Sequence, residues 1–490
     1  MRYIFNYLCA VDEIITISRL ECQEMKREIS ELRLPVQQLR EEIPPLKGEK
    51  DTHTRTISHA NVNLYQIYTQ YPKIITDSRK GCPHSIFFAL KGENFDGNDF
   101  AAQALDLGCN FAVVDRKETA ADERYILVDH VLQTLQDLAR EHRNHLNIPV
   151  IAITGTNGKT TTKELIKCVL TTKYAVHATS GNLNNHIGVP LTILEIPPGT
   201  EIAVIEMGAN HVGEIKALCD IARPTHGLIT NIGKAHLEGF GGLEGVKRAK
   251  KELYDDLNER EGIIFYNEEN PILSGMLEHA RTKTVGYGSA EKSACRGTVL
   301  SASPFLKTEL RINKELYSVS TRMAGAYNLE NLLAAACVGN GFEVPAEQII
   351  TALEAYAPQN NRSQVLRTKR NQVLLDDYNA NPTSMSQSLQ NFFEQIQGNR
   401  MVILGDMFEL GDDSPAEHAT IVDLLLPQKE ITRIVVGKRF YEAAKDAPEI
   451  LAFSEMEELK NRLAVNPPDD MFILVKGSRG MKLEQLTDLL

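Results

Sequence analysis

One stretch constrains this chain more than any other. Pro149-Val-Ile-Ala-Ile-Thr154 runs directly into Gly155-Thr-Asn-Gly-Lys-Thr-Thr161, then into a helical pattern through Glu164 and Leu170. A continuous apolar run without alternation reads as a parallel strand covered on both faces. The glycines let backbone N–H groups turn toward a polyphosphate, and the following helix N-terminus adds partial positive charge. Lys159 can reach the β- and γ-phosphates, and the Thr160 hydroxyl can ligate Mg²⁺. The spacing Gly155-x-x-Gly158-Lys-Thr is shorter than the usual GxxxxGK[ST]. The strand–loop–helix context is what separates it from a glycine-rich turn with an exposed lysine.

Around this loop the chain is ordinary. At 490 residues it has room for about three domains. Lys plus Arg number 53 against 65 Asp plus Glu, a net charge of −12, so no global field draws it to nucleic acid or an anionic membrane. Any polyanion must be held locally. The eight cysteines (Cys9, Cys22, Cys82, Cys109, Cys168, Cys219, Cys295, Cys337) include no CxxC pair, which argues against a disulfide framework or a zinc site. They read as reduced thiols of a cytoplasmic protein. No window approaches the ~20 apolar residues of a membrane span, so no integral membrane contact is expected. Asp12 and Glu13 cut off the short apolar opening, against a signal peptide.

The pattern changes along the chain. Residues 1–57 are dense in Glu, Lys, Arg and Gln and read as a loosely ordered, helical N-terminal extension. From Asn61 short apolar runs alternate with helical stretches. Strands are expected at Ile86–Leu90, Phe111–Val114 and Tyr125–Val128, then at Ile202–Ile205, Gly227–Ile232 and Gly262–Tyr266. Residues 298–322 alternate more strictly and read as short antiparallel strands. After Tyr356-Ala-Pro358 a further α/β block has strands at Val373–Leu375, Met401–Leu404, Ile434–Val436 and Phe472–Val475.

Three residues stand out near the loop. Glu206 ends an apolar run, where an open parallel sheet places its ligands, and beside a phosphate loop it is a natural Mg²⁺ ligand. His236, after the next strand, reads by itself as a hydrogen-bonded structural histidine. Lys250 falls on the apolar stripe Leu243, Val246, Leu253, Leu257 of its helix. An inward lysine must snorkel, pair or be chemically altered, and the residues alone favour snorkelling.

Taken together, the residues resemble the Mur ligase family, ATP-dependent amide-forming enzymes of peptidoglycan precursor synthesis. The resemblance covers about residues 60–490. Thr154–Thr161 matches the family's short phosphate loop, and Tyr327-Asn-Leu-Glu-Asn331 its H-N-x-x-N element with Tyr for His. Five further stretches are similar to the member that adds D-alanyl-D-alanine to a UDP-muramoyl tripeptide. They are Gly181-Asn-Leu-Asn-Asn-His-Ile-Gly-Val-Pro190, Glu206-Met-Gly-Ala-Asn-His211, Ala235-His-Leu-Glu-Gly-Phe240, Asp376-Asp-Tyr-Asn-Ala-Asn-Pro382 and Gly405-Asp-Met-Phe-Glu-Leu-Gly411. The DNPR-type signature for diaminopimelate selection is absent from the last block.

The resemblance implies a three-domain α/β architecture: a UDP-substrate-binding domain (58–147), a central P-loop parallel-sheet domain (148–356) and a C-terminal Rossmann-like domain (357–490). Implied ATP-binding residues are Gly155, Thr156, Asn157, Gly158, Lys159, Thr160, Thr161, Asn328, Asn331, Arg362 and Asp376. Thr160 and Glu206 would hold one Mg²⁺, and His236 and Lys250 a second, Lys250 carbamylated as in the family. Lys159, His236 and Lys250 would be the catalytic residues. Asp77, Ser78 and Arg79 resemble the uridine-side element. Asn182, Asn184, Asn185 and His211 look toward the sugar and pyrophosphate, and Lys476, Ser478 and Arg479 toward the peptide. Asp377 stands where the family has Ser or Ala. The implied substrates are ATP, UDP-N-acetylmuramoyl tripeptide and D-alanyl-D-alanine, acted on by a monomer without nucleic acid. The alternatives are a folylpolyglutamate synthetase-like ligase, which should lack the DxYNANP and NxNN stretches, and a nucleotide-dependent P-loop switch.

Overall fold

The apolar runs become strands for the reason their continuity suggests. In this computed structural model, which describes residues 63–359 and 362–490, Val150–Thr154 is buried at every position. Val150 and Ala152 face one core, with Ile205, Leu253 and Leu257, while Ile151 and Ile153 face another, with Leu165, Ile166 and Leu332. A strand packed on both faces selects apolar residues along its length, and Thr154 at its end satisfies its hydroxyl by donating to the Met207 carbonyl at 2.8 Å.

Among the described residues there are three main sheets. The first is fully parallel, in the order Lys73–Ile75, Ser85–Phe88, Phe111–Val114, Tyr125–Leu127. The central sheet has nine strands. Its parallel part runs Val176–Ala178, Ile202–Glu206, Val150–Thr154, His226–Ile229, Ile263–Asn267, Lys283–Gly288, Cys295–Ser301. Lys307–Ile312 and Glu315–Ser320 then add in antiparallel sense. The expected antiparallel strands therefore extend the central sheet. The third sheet has six strands, all parallel except the Gln364–Arg367 edge, with Phe472–Lys476 between Gln372–Leu375 and Arg400–Gly405.

The first sheet shares a core with the central one: Leu135 and Leu138 pack in one cluster with Val189 and Ile193, and the Tyr68 hydroxyl donates to the Leu194 carbonyl at 2.6 Å. The extension expected over residues 1–57 lies outside the described residues.

Two sequence expectations need correction. The strand expected over Gly227–Ile232 ends at Ile229, because the Thr230 hydroxyl turns away to donate to the Asn157 carbonyl at 2.6 Å. Lys250 does not snorkel. It is 3% exposed within the Leu243–Glu259 helix, and its ammonium lies 3.4 Å from the Ala209 carbonyl and 5.2 Å from the Phe240 ring centre. Neighbouring Val246, Leu253 and Leu257 are buried on the same stripe, and a four-carbon stem on a helix this deep does not reach water.

Candidate functional site

Strand register builds the site. Ile153 pairs with Glu206, and Thr154 with Ile229, so the loops after three adjacent parallel strands emerge side by side at one sheet edge. The phosphate loop is shaped by its glycines and braced by its neighbour. Gly155 has φ +138° and Gly158 φ +79°. A Cβ on Gly155 would run into the Thr230 hydroxyl, and one on Gly158 would come 2.6 Å from Asn331 Oδ1. Asn231 clasps the Asn157 peptide from both ends: its Oδ1 accepts from the Asn157 N–H at 2.9 Å and its amide donates to the Asn157 carbonyl at 3.1 Å. Sequence reasoning missed Asn231, which lies two residues past the strand end but inside the strand expected over Gly227–Ile232; the polar Thr230-Asn231 pair interrupting that apolar run was a usable signal.

The loop opens on a cavity of about 390 Å³. Lys159, Thr160, Asn182, Asn184, Asn185, Glu206, His236, Lys250 and Arg362 all line it. Lys159 arches over its own loop, donating to the Gly155 and Thr156 carbonyls at 2.7 and 3.0 Å. Burial, reinforced by Arg362 and opposed by Glu206, pulls its amine down to about 8. Burial together with the charge of Lys159 pulls Lys250 down to about 7, against Glu214 and Glu252. Two amines depressed chiefly by burial on one cavity wall mark a desolvated site.

A smaller cavity of about 100 Å³ adjoins it through Asn157, Gly158, Arg362 and Asn379. Thr161, Tyr327, Asn328, Asn331, Asp376 and Lys476 line this second space. Asn331 is fixed by Asn328 Oδ1 at 2.8 Å and by the Thr162 hydroxyl at 3.0 Å. The Tyr327 hydroxyl meets that of Ser363 at 2.9 Å, and the Ser363 N–H donates to Asp376 at 3.0 Å. Burial would raise the Asp376 carboxyl, but the ion pair with Lys476 overrides it and holds it below the usual range. The Arg362 guanidinium stacks 3.6 Å from the Tyr378 ring centre. The third sheet thus contributes to both cavities. It is tied down by Asn381 donating to Asn157 Oδ1 at 2.7 Å and by the Lys234–Glu417 pair at 2.6 Å.

Other expected residues lie elsewhere. Asp77, Ser78 and Arg79 belong to the first sheet's turn and line neither cavity. Arg79 pairs with Asp77, and that hydrogen-bonded pair pulls the Asp77 carboxyl down to about 2. His211 is exposed and faces Glu214 at 3.3 Å. Lys476 separates from Ser478 and Arg479 because strand pairing turns it inward to Asp376, whereas the buried Ser478 hydroxyl accepts from the Phe408 N–H at 2.9 Å. The Arg479 guanidinium also lies over the Tyr378 ring, 5.1 Å from its centre.

Asp377 is 3% exposed, and neither carboxylate oxygen has a hydrogen-bond partner among the described residues. Burial, reinforced by Glu484, pushes its carboxyl from 3.8 to about 7. A folded pKa above the unfolded one favours the protonated native state. That stability is fully present below about pH 4 and is lost as pH rises through about 7. Asp377→Asn should therefore melt higher than the parent at pH 8, with the gain vanishing near pH 4. Thermal melts across pH 4–8 check this; equal melting temperatures at pH 8 would refute it.

The donor set fits a cation at one place directly. Glu206 is 1% exposed, its Oε1 accepts from Asn184 at 2.8 Å, and its Oε2 is buried with no partner among the described residues. With the Thr160 hydroxyl on the same wall, this is oxygen chemistry suited to Mg²⁺. A second cation beside His236 and Lys250 fits only if Lys250 becomes an anion. Among the described residues no three His, Cys, Asp or Glu side chains converge.

Comparisons with known proteins agree with this geometry. The Mur ligase family's catalytic domain matches residues 71–143, its middle domain 153–339, and its glutamate ligase domain 361–479. A UDP-N-acetylmuramoyl-tripeptide--D-alanyl-D-alanine ligase of Bacillus subtilis is 36% identical over 84% of this chain and 92% of its own length. Its Escherichia coli counterpart is 33% identical over 84% and 92%. The crystal structure of MurF from Acinetobacter baumannii superposes with a TM-score of 0.77 at 32% identity, covering 84% of this chain and 92% of that one. A folylpolyglutamate synthase of Mycobacterium tuberculosis, at 15% identity and a TM-score of 0.56, shares the fold alone. This chain, with its braced phosphate loop and its cavity between central and third sheets, belongs to the Mur ligase family.

Proposed function

We propose that the protein is an ATP-dependent ligase that joins D-alanyl-D-alanine to UDP-N-acetylmuramoyl tripeptide, in the assembly of peptidoglycan precursors. The observation that carries this reading is the single cavity on which Lys159, the orphaned Glu206 oxygen, Lys250 and Arg362 meet. Relatives of that activity cover most of the chain, and the Thermotoga maritima MurF structure is a complex with ADP. ATP is accordingly the nucleotide. The phosphate loop and Lys159 cradle its phosphates, and Asn328, Asn331, Arg362 and Asp376 hold the nucleoside side.

A carboxylate resists attack by an amine, because its charge and resonance leave the carbon a poor electrophile. Its oxygen therefore attacks the γ-phosphorus, the bond to ADP breaks, and an acyl phosphate forms. The dipeptide amine then attacks the carbonyl, phosphate leaves and the amine proton is released. Lys159 and Arg362 stabilise the charge gathered as two anions meet. Mg²⁺ held by Thr160 and Glu206, and a second held by His236 and a carbamylated Lys250, would add to that stabilisation. Asn182, Asn184 and Asn185 orient the sugar–pyrophosphate portion. Asp77, Ser78, Arg79 and His211 are assigned to the same substrate, and Ser478 and Arg479 to its peptide end. Water must be excluded from the acyl phosphate, which the third sheet's contacts to Asn157 and Lys234 favour. Three sheets with their own helices support domains at 58–147, 148–356 and 357–490.

ADP release is expected to require UDP-muramoyl tripeptide and D-alanyl-D-alanine together. A rate indifferent to the dipeptide would reject the ligase assignment. Nucleotide-dependent partner capture without turnover would favour a P-loop switch.

A further inference from the structure

The motif Gly405–Gly411 has no part in the chemistry described so far, yet it reaches the site from outside. We propose that Glu409 is a positioning residue for His236: its carboxylate, carried by the third sheet, fixes the imidazole so that Nε2 is offered to a cation in the cavity. The inference rests on the reading of His236 as a cation ligand.

His236 Nδ1 lies 2.5 Å from Glu409 Oε2. His236 lines the cavity and Glu409 does not. A carboxylate on Nδ1 selects the tautomer with its proton there, leaving the Nε2 lone pair for a metal. Both residues are held in the left-handed region, at φ 50° for His236 and 61° for Glu409. Non-glycine residues persist there only where the surroundings impose it.

The surroundings do so. The Asp406 carboxylate accepts from the Arg439 and Phe440 N–H groups at 3.1 and 2.9 Å. The Met407 N–H donates to His418 Nε2 at 3.0 Å, and Arg439 donates to the Met407 carbonyl at 2.7 Å. The Phe408 N–H donates to Ser478. Gly411 closes the loop against the helix that His236 caps: a Cβ there would stand 3.3 Å from Glu238 Cβ. None of this bracing uses the Glu409 side chain, which is 61% exposed. An exposed contact of this kind adds little to stability, so its consequence is orientation.

The test uses the full chain with a non-hydrolysable ATP analogue, and reads Mn²⁺ binding by electron paramagnetic resonance. Five proteins are compared: the parent, His236→Ala, Glu409→Gln, Glu409→Asp and Glu417→Gln. The last breaks the other cross-sheet pair, Lys234–Glu417, without touching His236. Glu409→Gln is expected to weaken the second Mn²⁺ about tenfold, Glu409→Asp to recover part of that affinity, and Glu417→Gln to leave it unchanged. Loss in His236→Ala with parental binding in Glu409→Gln would overturn the positioning role alone. Equal losses in Glu409→Gln and Glu417→Gln would assign the effect to docking and overturn it too. Parental binding in His236→Ala would overturn the ligand reading and this inference with it.

Discussion

Lys250→Ala is expected to be inactive, and to regain part of its activity when formate or acetate is added. The lysine is buried in the cavity wall near Lys159, and its amine is pulled down to about 7. Near neutrality much of it is therefore uncharged, the form whose lone pair attacks carbon dioxide. The new N–C bond and the one proton released turn the uncharged amine into an anion. As an ammonium, Lys250 would repel a cation in the same cavity. At about 4 Å and an effective dielectric near 20, each unit-charge pair costs about 4 kcal/mol, and the ion is divalent. Lys250→Arg keeps the charge and cannot form the carbamate, so it should stay inactive. Labelled bicarbonate should give a carbamate signal in the parent and none in the arginine variant. Substantial turnover by Lys250→Arg would mean that the residue is a buried cation and no metal ligand.

Lys159→Ala should lower turnover on the order of 10³-fold, the scale of losing one preorganised donor to developing charge, with the melting transition nearly unchanged. The side chain's polar contacts are two carbonyls of its own loop. The loop's shape comes from Gly155, Gly158 and the Asn231 clasp, which the substitution leaves in place. ADP release in the presence of both substrates, beside a thermal melt, checks both halves. A folded variant with near-parental ADP release would remove Lys159 from the phosphate site.

How much of this was legible in the sequence varies with the range of the interaction. The phosphate loop could be read because its chemistry is local: a buried strand, two glycines at positive φ, a lysine and a threonine within seven residues. The Lys250 stripe was legible for the same reason, since helical periodicity alone turned it inward. Whether it snorkelled depended on the depth of its helix in the core, and the burial of Val246, Leu253 and Leu257 around it decided that. Short edge strands such as Val176–Ala178 carry too few residues to show a pattern.

By itself the sequence determined the α/β class, the order of the main strands and helices along the chain, and the glycine-rich loop between strand and helix to which phosphate binding is assigned. Those properties follow from side-chain periodicity and local backbone freedom. Only the tertiary structure decided which strands lie side by side, and hence that the loops after Val150–Thr154, Ile202–Glu206 and His226–Ile229 share one cavity. It also decided that Lys476 turns to Asp376 and that Glu409 meets His236 across 173 positions of sequence. Contacts between residues so far apart are set by sheet register and by the docking of one packed layer on another, and no local pattern encodes them.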